Sequence, residues 1–191
     1  MRKGGGSSKG SSFEREICKQ LSLWWSEGNR DDIFWRTAGS GGRATNRARQ
    51  GKETSGAYGD LTFIDPSGAD LLKVCCFELK RGYGQWCVLD LIDRRTDAKP
   101  CIAAKFWKQA KRSAEDAHVP HSIVIFRRDQ KVPAVMIGKR LLSALFPFVG
   151  TYRGPKLSAT IENEQIFITT LADLLNFVTP ESIRQLLECG L

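Results

Sequence analysis

The chain has 191 residues, 41% of them hydrophobic, which suits one domain with a sizeable core. It holds no run of about 18 apolar residues and no apolar leader, so neither a membrane span nor a signal peptide is expected. Its 29 Lys and Arg against 21 Asp and Glu give a formal charge of +8; such a field attracts polyanions, nucleic acid foremost, although solubility alone also accounts for it.

Residues 1–11 are rich in Gly, Ser and basic side chains and read as a flexible arm ahead of a single domain over 12–191. From Ser12 to Trp25, Phe13, Ile17, Leu21 and Trp24 recur at helical spacing. Ser11 or Ser12 can cap that helix, and Glu14 and Glu16 fall in its first turn. A short strand follows, Ile33 to Thr37. Residues 38–59 carry Arg43, Arg47 and Arg49 among Gly, Thr, Asn and Ser, with almost nothing apolar. A loop of that length is functional or disordered, and its composition suits a segment that orders on a phosphate backbone.

Tyr58 to Asp65 reads as a strand, Asp65-Pro66-Ser67-Gly68 as a turn, and Leu71 to Lys80 as the second arm of a hairpin. Further elements are a helix over Ala103–Ala117, strands over Ser122–Phe126 and Pro133–Ile137, a helix over Lys139–Phe146 and a strand over Gln165–Thr169. Two short helices close the chain, the last starting at Thr179-Pro180-Glu181 and stopping at Gly190. Residues 138–191 form a C-terminal extension. This order predicts an α/β fold with a central mixed β-sheet flanked by helices. The six cysteines form no CxxC pair, and several lie in apolar runs; they read as reduced core thiols in a cytoplasmic protein.

The candidate chemistry lies in Phe77-Glu78-Leu79-Lys80. Alternate residues of a strand share a face, so Glu78 and Lys80 point one way and Phe77 and Leu79 the other. A carboxylate and an ammonium held together on a rigid strand suit metal-dependent phosphodiester hydrolysis: Glu78 binds a cation, and Lys80 orients the attacking water or neutralises developing charge. Asp60, beside Gly59 on the preceding strand, is expected to converge with Glu78 across the hairpin. In the first helix, Ile17, Cys18 and Leu21 fall within roughly 60° of Glu14, which puts Glu14 on the inward face and Glu16 towards solvent. An inward Glu needs a metal or an Arg as partner.

Four blocks now stand in order: Lys9-Gly10 with Glu14-Arg15-Glu16, then Arg36-Thr37-Ala38-Gly39-Ser40, then Asp60, then Glu78-x-Lys80. Together they resemble the archaeal-type Holliday junction resolvases, which belong to the PD-(D/E)XK nuclease superfamily. The resemblance covers about Lys9 to Lys80. It implies a restriction-endonuclease-like core, a metal site of Glu14, Asp60 and Glu78, and Lys80 as the catalytic lysine. It implies that Arg15 and Arg36 contact phosphate or support the site, and that Ser40 lies in a mobile loop beside the cleft. It further implies a homodimer cutting two opposed strands with Mg²⁺ or Mn²⁺. This chain departs from the pattern with Gly59 in place of proline, a longer Arg-rich segment before Asp60, and a different tail after Val135.

Gln109 resembles the helix Gln or Lys near many sites of the superfamily, although a solvated helix face fits it equally. Arg81 opens the run Arg81-Gly82-Tyr83-Gly84-Gln85-Trp86, whose aromatics suit base stacking or core packing. His118 and His121 have metal-ligand spacing, but Pro120 between them favours a connecting loop. Gly39-x-Gly41-Gly42 lacks the ending of a nucleotide-binding loop, so no nucleotide cofactor is expected. The expected function is a Mg²⁺-dependent endonuclease acting on branched DNA, in a chain suited to a bacteriophage or mobile element and the host cytoplasm. The alternatives are a nuclease of linear or single-stranded DNA on the same scaffold, and a non-catalytic nucleic-acid-binding module.

Overall fold

The computed structural model describes residues 5–37, 59–82, 90 and 101–190. The predicted loop and its Ser40, Arg43, Arg47 and Arg49 lie outside these residues, as does the run from Tyr83 to Trp86. The elements are α1 (Gly5–Trp25), β1 (Phe34–Arg36), β2 (Leu61–Phe63), α2 (Ala69–Val74), β3 (Cys75–Arg81), α3 (Ile102–Asp116), β4 (His121–Arg127), β5 (Ala134–Gly138), α4 (Lys139–Val149), β6 (Leu157–Ile161), β7 (Glu164–Thr170), α5 (Leu171–Phe177) and α6 (Pro180–Glu188). No helix among the described residues is long and apolar enough to cross a membrane.

Five strands form the central sheet in the order β3-β4-β5-β7-β6. The β3–β4 pair is parallel and the other three pairs are antiparallel, so the predicted mixed sheet is the observed one. Side-chain alternation divides the core into two layers. Phe77 and Leu79 of β3 and Ile123 and Ile125 of β4 face α1, α4, α5 and α6. Val124 and Phe126 of β4, with Met136 and Ile168, face α3 through its Phe106, Trp107 and Ala110. Burying both faces under helices lets the parallel pair form a continuous apolar strand, Ile123-Val124-Ile125-Phe126.

Helix α1 starts at Gly5, seven residues ahead of the predicted Ser12. Its inward stripe is Phe13, Ile17, Leu21 and Trp25 at i, i+4 spacing. Trp25 takes the deep position predicted for Trp24, whose indole N–H instead donates to the carbonyls of Leu175 and Val178.

The predicted hairpin is corrected. Residues 69–74 are helical, and the strand starts only at Cys75. Leu71 and Val74, three apart, bury on one side of that turn, while Asp70 and Lys73 pair on its outside. Strand β2 therefore does not ladder onto β3; it pairs antiparallel with β1, Phe34 opposite Phe63 and Arg36 opposite Leu61. Strand β6 is an addition to the predicted elements, because Leu157-Ser158-Ala159-Thr160-Ile161 is a half-exposed edge strand with little apolar signal. Its turn is Glu162-Asn163, both at positive φ (48° and 64°), the two-residue geometry that matches strand twist.

Candidate active site

Strand β3 is an edge of the central sheet, and its free side meets the residues leading into β2. Two hydrogen bonds make that join: Asp60 N–H donates to the Phe77 carbonyl (2.8 Å), and Leu79 N–H donates to Asp60 Oδ2 (2.8 Å). The first fixes the backbone of Asp60 and the second its carboxylate, so the acid is set by β3 without a ladder. The close approach depends on Gly59, at φ +70°, where an added Cβ would lie 2.5 Å from the Phe77 carbonyl oxygen.

Glu78 and Lys80 share a face of β3, as the two-residue period requires. Glu78 is only 2% exposed, and its Oε1 accepts hydrogen bonds from both Lys80 Nζ and Gln109 Nε2, the latter at 2.6 Å. Gln109 sits on α3, which covers this face. Phe106, one turn earlier, presents its ring 5.9 Å from the Lys80 ammonium. Lys80 is thereby held between a carboxylate and an aromatic face.

Asp60 is 8% exposed and lies against Glu78. Burial, and then the neighbouring Glu78 charge, push its carboxyl up to about 7, despite the opposing Leu79 N–H and Lys80 ammonium. Two carboxylates crowded this closely demand a shared proton or a cation. Cys76 and Cys18 flank the acids, and burial pushes each thiol up to about 12. Both remain neutral thiols near pH 7, so the available anionic donors are carboxylate oxygens, the ligands that hard divalent cations prefer.

Glu14 faces inward, its side chain 16% exposed, and pairs with Arg36 Nη1 at 3.4 Å. Of the two partners expected for an inward glutamate, the described residues supply the arginine. Among the described residues, no group of three His, Cys, Asp or Glu side chains is placed to hold a metal ion. Arg15 is exposed on α1. Arg81 closes β3, 3.7 Å from Asp129, and its buried Nε has no hydrogen-bond partner among the described residues.

Two contributors lie beyond the sequence-based expectations. Phe106 is legible in principle, being three residues from Gln109 on one helix face. Arg127 is not, because only the β3–β4 register places it beside Arg81. Arg127 binds both oxygens of Glu16 (2.5 and 2.6 Å) and covers the Phe13 ring at 4.9 Å. Glu16 is thus an exposed acid tied to the end of β4 and stands apart from Glu14.

A buried Asp–Glu pair with a lysine two residues after the glutamate, on the edge strand of a mixed sheet, is the arrangement anticipated for a PD-(D/E)XK nuclease. A family model described as "phage putative PDDEXK endonuclease" matches residues 5–185. The chain belongs to this phage PDDEXK endonuclease family. The match spans α1 through most of α6, so the extension after Gly138 is part of the family fold. No curated protein and no solved structure matches the chain.

Proposed function

We propose that this chain hydrolyses DNA phosphodiester bonds with Mg²⁺ or Mn²⁺, acts on branched DNA such as four-way junctions, and works as a homodimer. The observation that carries the nuclease chemistry is the buried Asp60–Glu78 pair with the Lys80 ammonium on the same Glu78 oxygen. Its donor set fits a hard divalent cation, since both acids are oxygen donors and their crowding is relieved by positive charge. Asp60 and Glu78 would hold the ion. When bound, it polarises the scissile phosphate and makes water a stronger nucleophile.

The protein's own part is positioning. Lys80, restrained by Glu78 and Phe106, points its ammonium at the acid pair, where it orients the attacking water and offsets charge building on the phosphate. Water oxygen bonds to phosphorus and releases a proton to solvent, the ester P–O bond breaks, and the departing oxygen takes a proton from solvent. Gln109 fixes the Glu78 carboxylate through its N–H. Arg15, Arg36 and Arg81 engage backbone phosphate, and Ser40, Arg43, Arg47 and Arg49 are further proposed DNA contacts. A phosphate on Arg36 releases Glu14 from its ion pair and lets it join the two acids.

Branched DNA rests on the four resolvase-like blocks between Lys9 and Lys80, and so does the dimer. The test compares a four-way junction with a linear duplex of the same arm sequence, each with Mg²⁺ or EDTA. Faster cutting of the junction, abolished by EDTA, is expected. Equal rates on both would remove the junction preference, and cleavage persisting in EDTA would remove the metal chemistry.

A further inference from the structure

The sheet face that carries Glu78 and Lys80 continues past α3. Across the parallel β3–β4 pair, Lys80 stands opposite Phe126. Phe126 is also the near wall of a groove of about 480 Å³ that crosses the sheet towards β6. Its floor is apolar, with Phe126, Ile168 and Leu157, and its rim carries Arg128, Lys131 and Lys156. Among the described residues the lining holds Lys131, Lys156 and Arg128, the last of which has a partner of its own, and no acid. The larger cavity at the other end of the sheet, about 800 Å³, is different: Lys111, Lys139 and Arg140 share it with Glu115, Glu162 and Glu164. Its charges balance, and it selects no polyanion.

Two further features shape the groove. Val132 is 69% exposed and Leu157 51% exposed, so aliphatic surface stands open between the cations. Lys156 lines the groove with its stem, while its ammonium donates to the Tyr152 carbonyl at 2.9 Å and lies 5.4 Å from the Tyr152 ring and 6.0 Å from the Phe167 ring, at the sheet edge on the side away from α3. An apolar floor between cations is the chemistry of a strand whose bases are unpaired: the bases turn their faces to the floor while the phosphates meet the rim. A duplex keeps its base faces stacked and offers only the phosphates.

We infer that this groove, built by β4, β5, β7 and β6, binds a single-stranded segment of nucleic acid running on from the cleavage site. The inference rests on the nuclease reading for its orientation, because Phe126 in the groove wall pairs with Lys80 across the β3–β4 register. It gives the C-terminal extension a part in holding the substrate, since Pro155 to Leu157 and β7 supply the far wall.

Binding is measured by fluorescence anisotropy on the full chain in EDTA, which separates it from cleavage. The probes are a mixed-sequence single-stranded oligonucleotide and a blunt duplex of the same sequence. Lys131→Glu with Lys156→Glu is expected to weaken single-strand binding at least about tenfold and to lower the slope of log K against log salt by about 0.7 per lost contact. The loss on the duplex is expected to be smaller. Because Lys156 also braces Tyr152, Lys131→Glu alone, on the exposed β4–β5 turn, is run as a second variant and is expected to show the same preference in reduced size. Leu157→Ser, which leaves the charges in place, is expected to weaken the single strand and spare the duplex. Unchanged single-strand binding, or equal losses on both probes, would overturn the inference. So would a change of sedimentation coefficient with Lys131→Glu at unaltered strand affinity, which would mark the groove as a contact between copies. Wild-type cleavage of DNA in Mg²⁺ is scored separately: its absence removes the nuclease reading and leaves the binding result standing.

Discussion

A carboxyl group that is buried against a second carboxylate binds its proton more tightly in the folded chain than in the unfolded one. For Asp60 the folded value is about 7 against an ordinary 3.8, so between those values the native state holds a proton that the unfolded state has lost. The sign follows: the contribution of Asp60 to stability falls as pH rises from about 4 to about 7 and is level above that. Without divalent ion, the melting temperature of the wild type is expected to decline over this range relative to Asp60→Asn, whose amide does not titrate. Mg²⁺ is expected to raise the wild-type value most above pH 7, where Asp60 is charged. Parallel pH profiles for the two proteins would show that Asp60 is not crowded as described. Gln109 acts on the same pair from α3. Gln109→Ala is expected to cut the cleavage rate by about 10- to 100-fold and to raise the Mg²⁺ concentration needed for half-maximal rate. A rate loss with no change in the Mg²⁺ requirement would place Gln109 elsewhere in the mechanism. At this scale the sequence is informative. Glu78 and Lys80 share a face by strand period, and Glu14 points inward by helical phase. The sequence leaves the partner of Glu14 open between a metal and an arginine, because phase gives direction and not distance.

At the scale of elements, the site depends on how the Gly59-Asp60 backbone meets β3. Gly59→Ala would place a methyl group 2.5 Å from the Phe77 carbonyl oxygen and 2.9 Å from Cys76 Sγ, at a positive φ that alanine adopts poorly. The segment must then move away, which breaks the Asp60 N–H bond to Phe77 and the Leu79 N–H bond to Asp60. A loss of roughly 1–3 kcal/mol of stability is expected, with cleavage reduced more than the remaining folded fraction accounts for. A variant that melts normally and cuts normally would contradict this join. The same region is where the elements are hardest to read. Residues 71–80 form one largely apolar stretch broken only by Lys73, Glu78 and Lys80, and such a stretch does not say where helix ends and strand begins. Leu71 and Val74 carry a helical period, but it spans barely one turn before Cys75 starts the strand. Asp60 and Glu78 do converge, through two hydrogen bonds to β3 in place of the hairpin ladder. The helices α1 and α3 are clear, because each repeats its apolar face over several turns.

At the scale of the whole molecule, the +8 charge, the two-layered α/β core and the match over residues 5–185 agree on one class of protein. The sheet has two chemically different ends on the α3 side. One holds the acid pair with a basic groove on the neighbouring strands; the other holds a cavity of balanced charge. That polarity depends on strand pairing between segments far apart in sequence, such as Lys80 with Phe126 and Ala134 with Thr170, and no local pattern in the chain reveals it. The central claim, that Asp60, Glu78 and Lys80 form a nuclease site, is tested most directly by Glu78→Ala. Cleavage of a four-way junction and of a duplex in Mg²⁺ is measured alongside binding of the same DNAs in EDTA. Cleavage of both substrates is expected to be abolished while binding stays near that of the wild type. Cleavage by Glu78→Ala at the wild-type rate would contradict the claim.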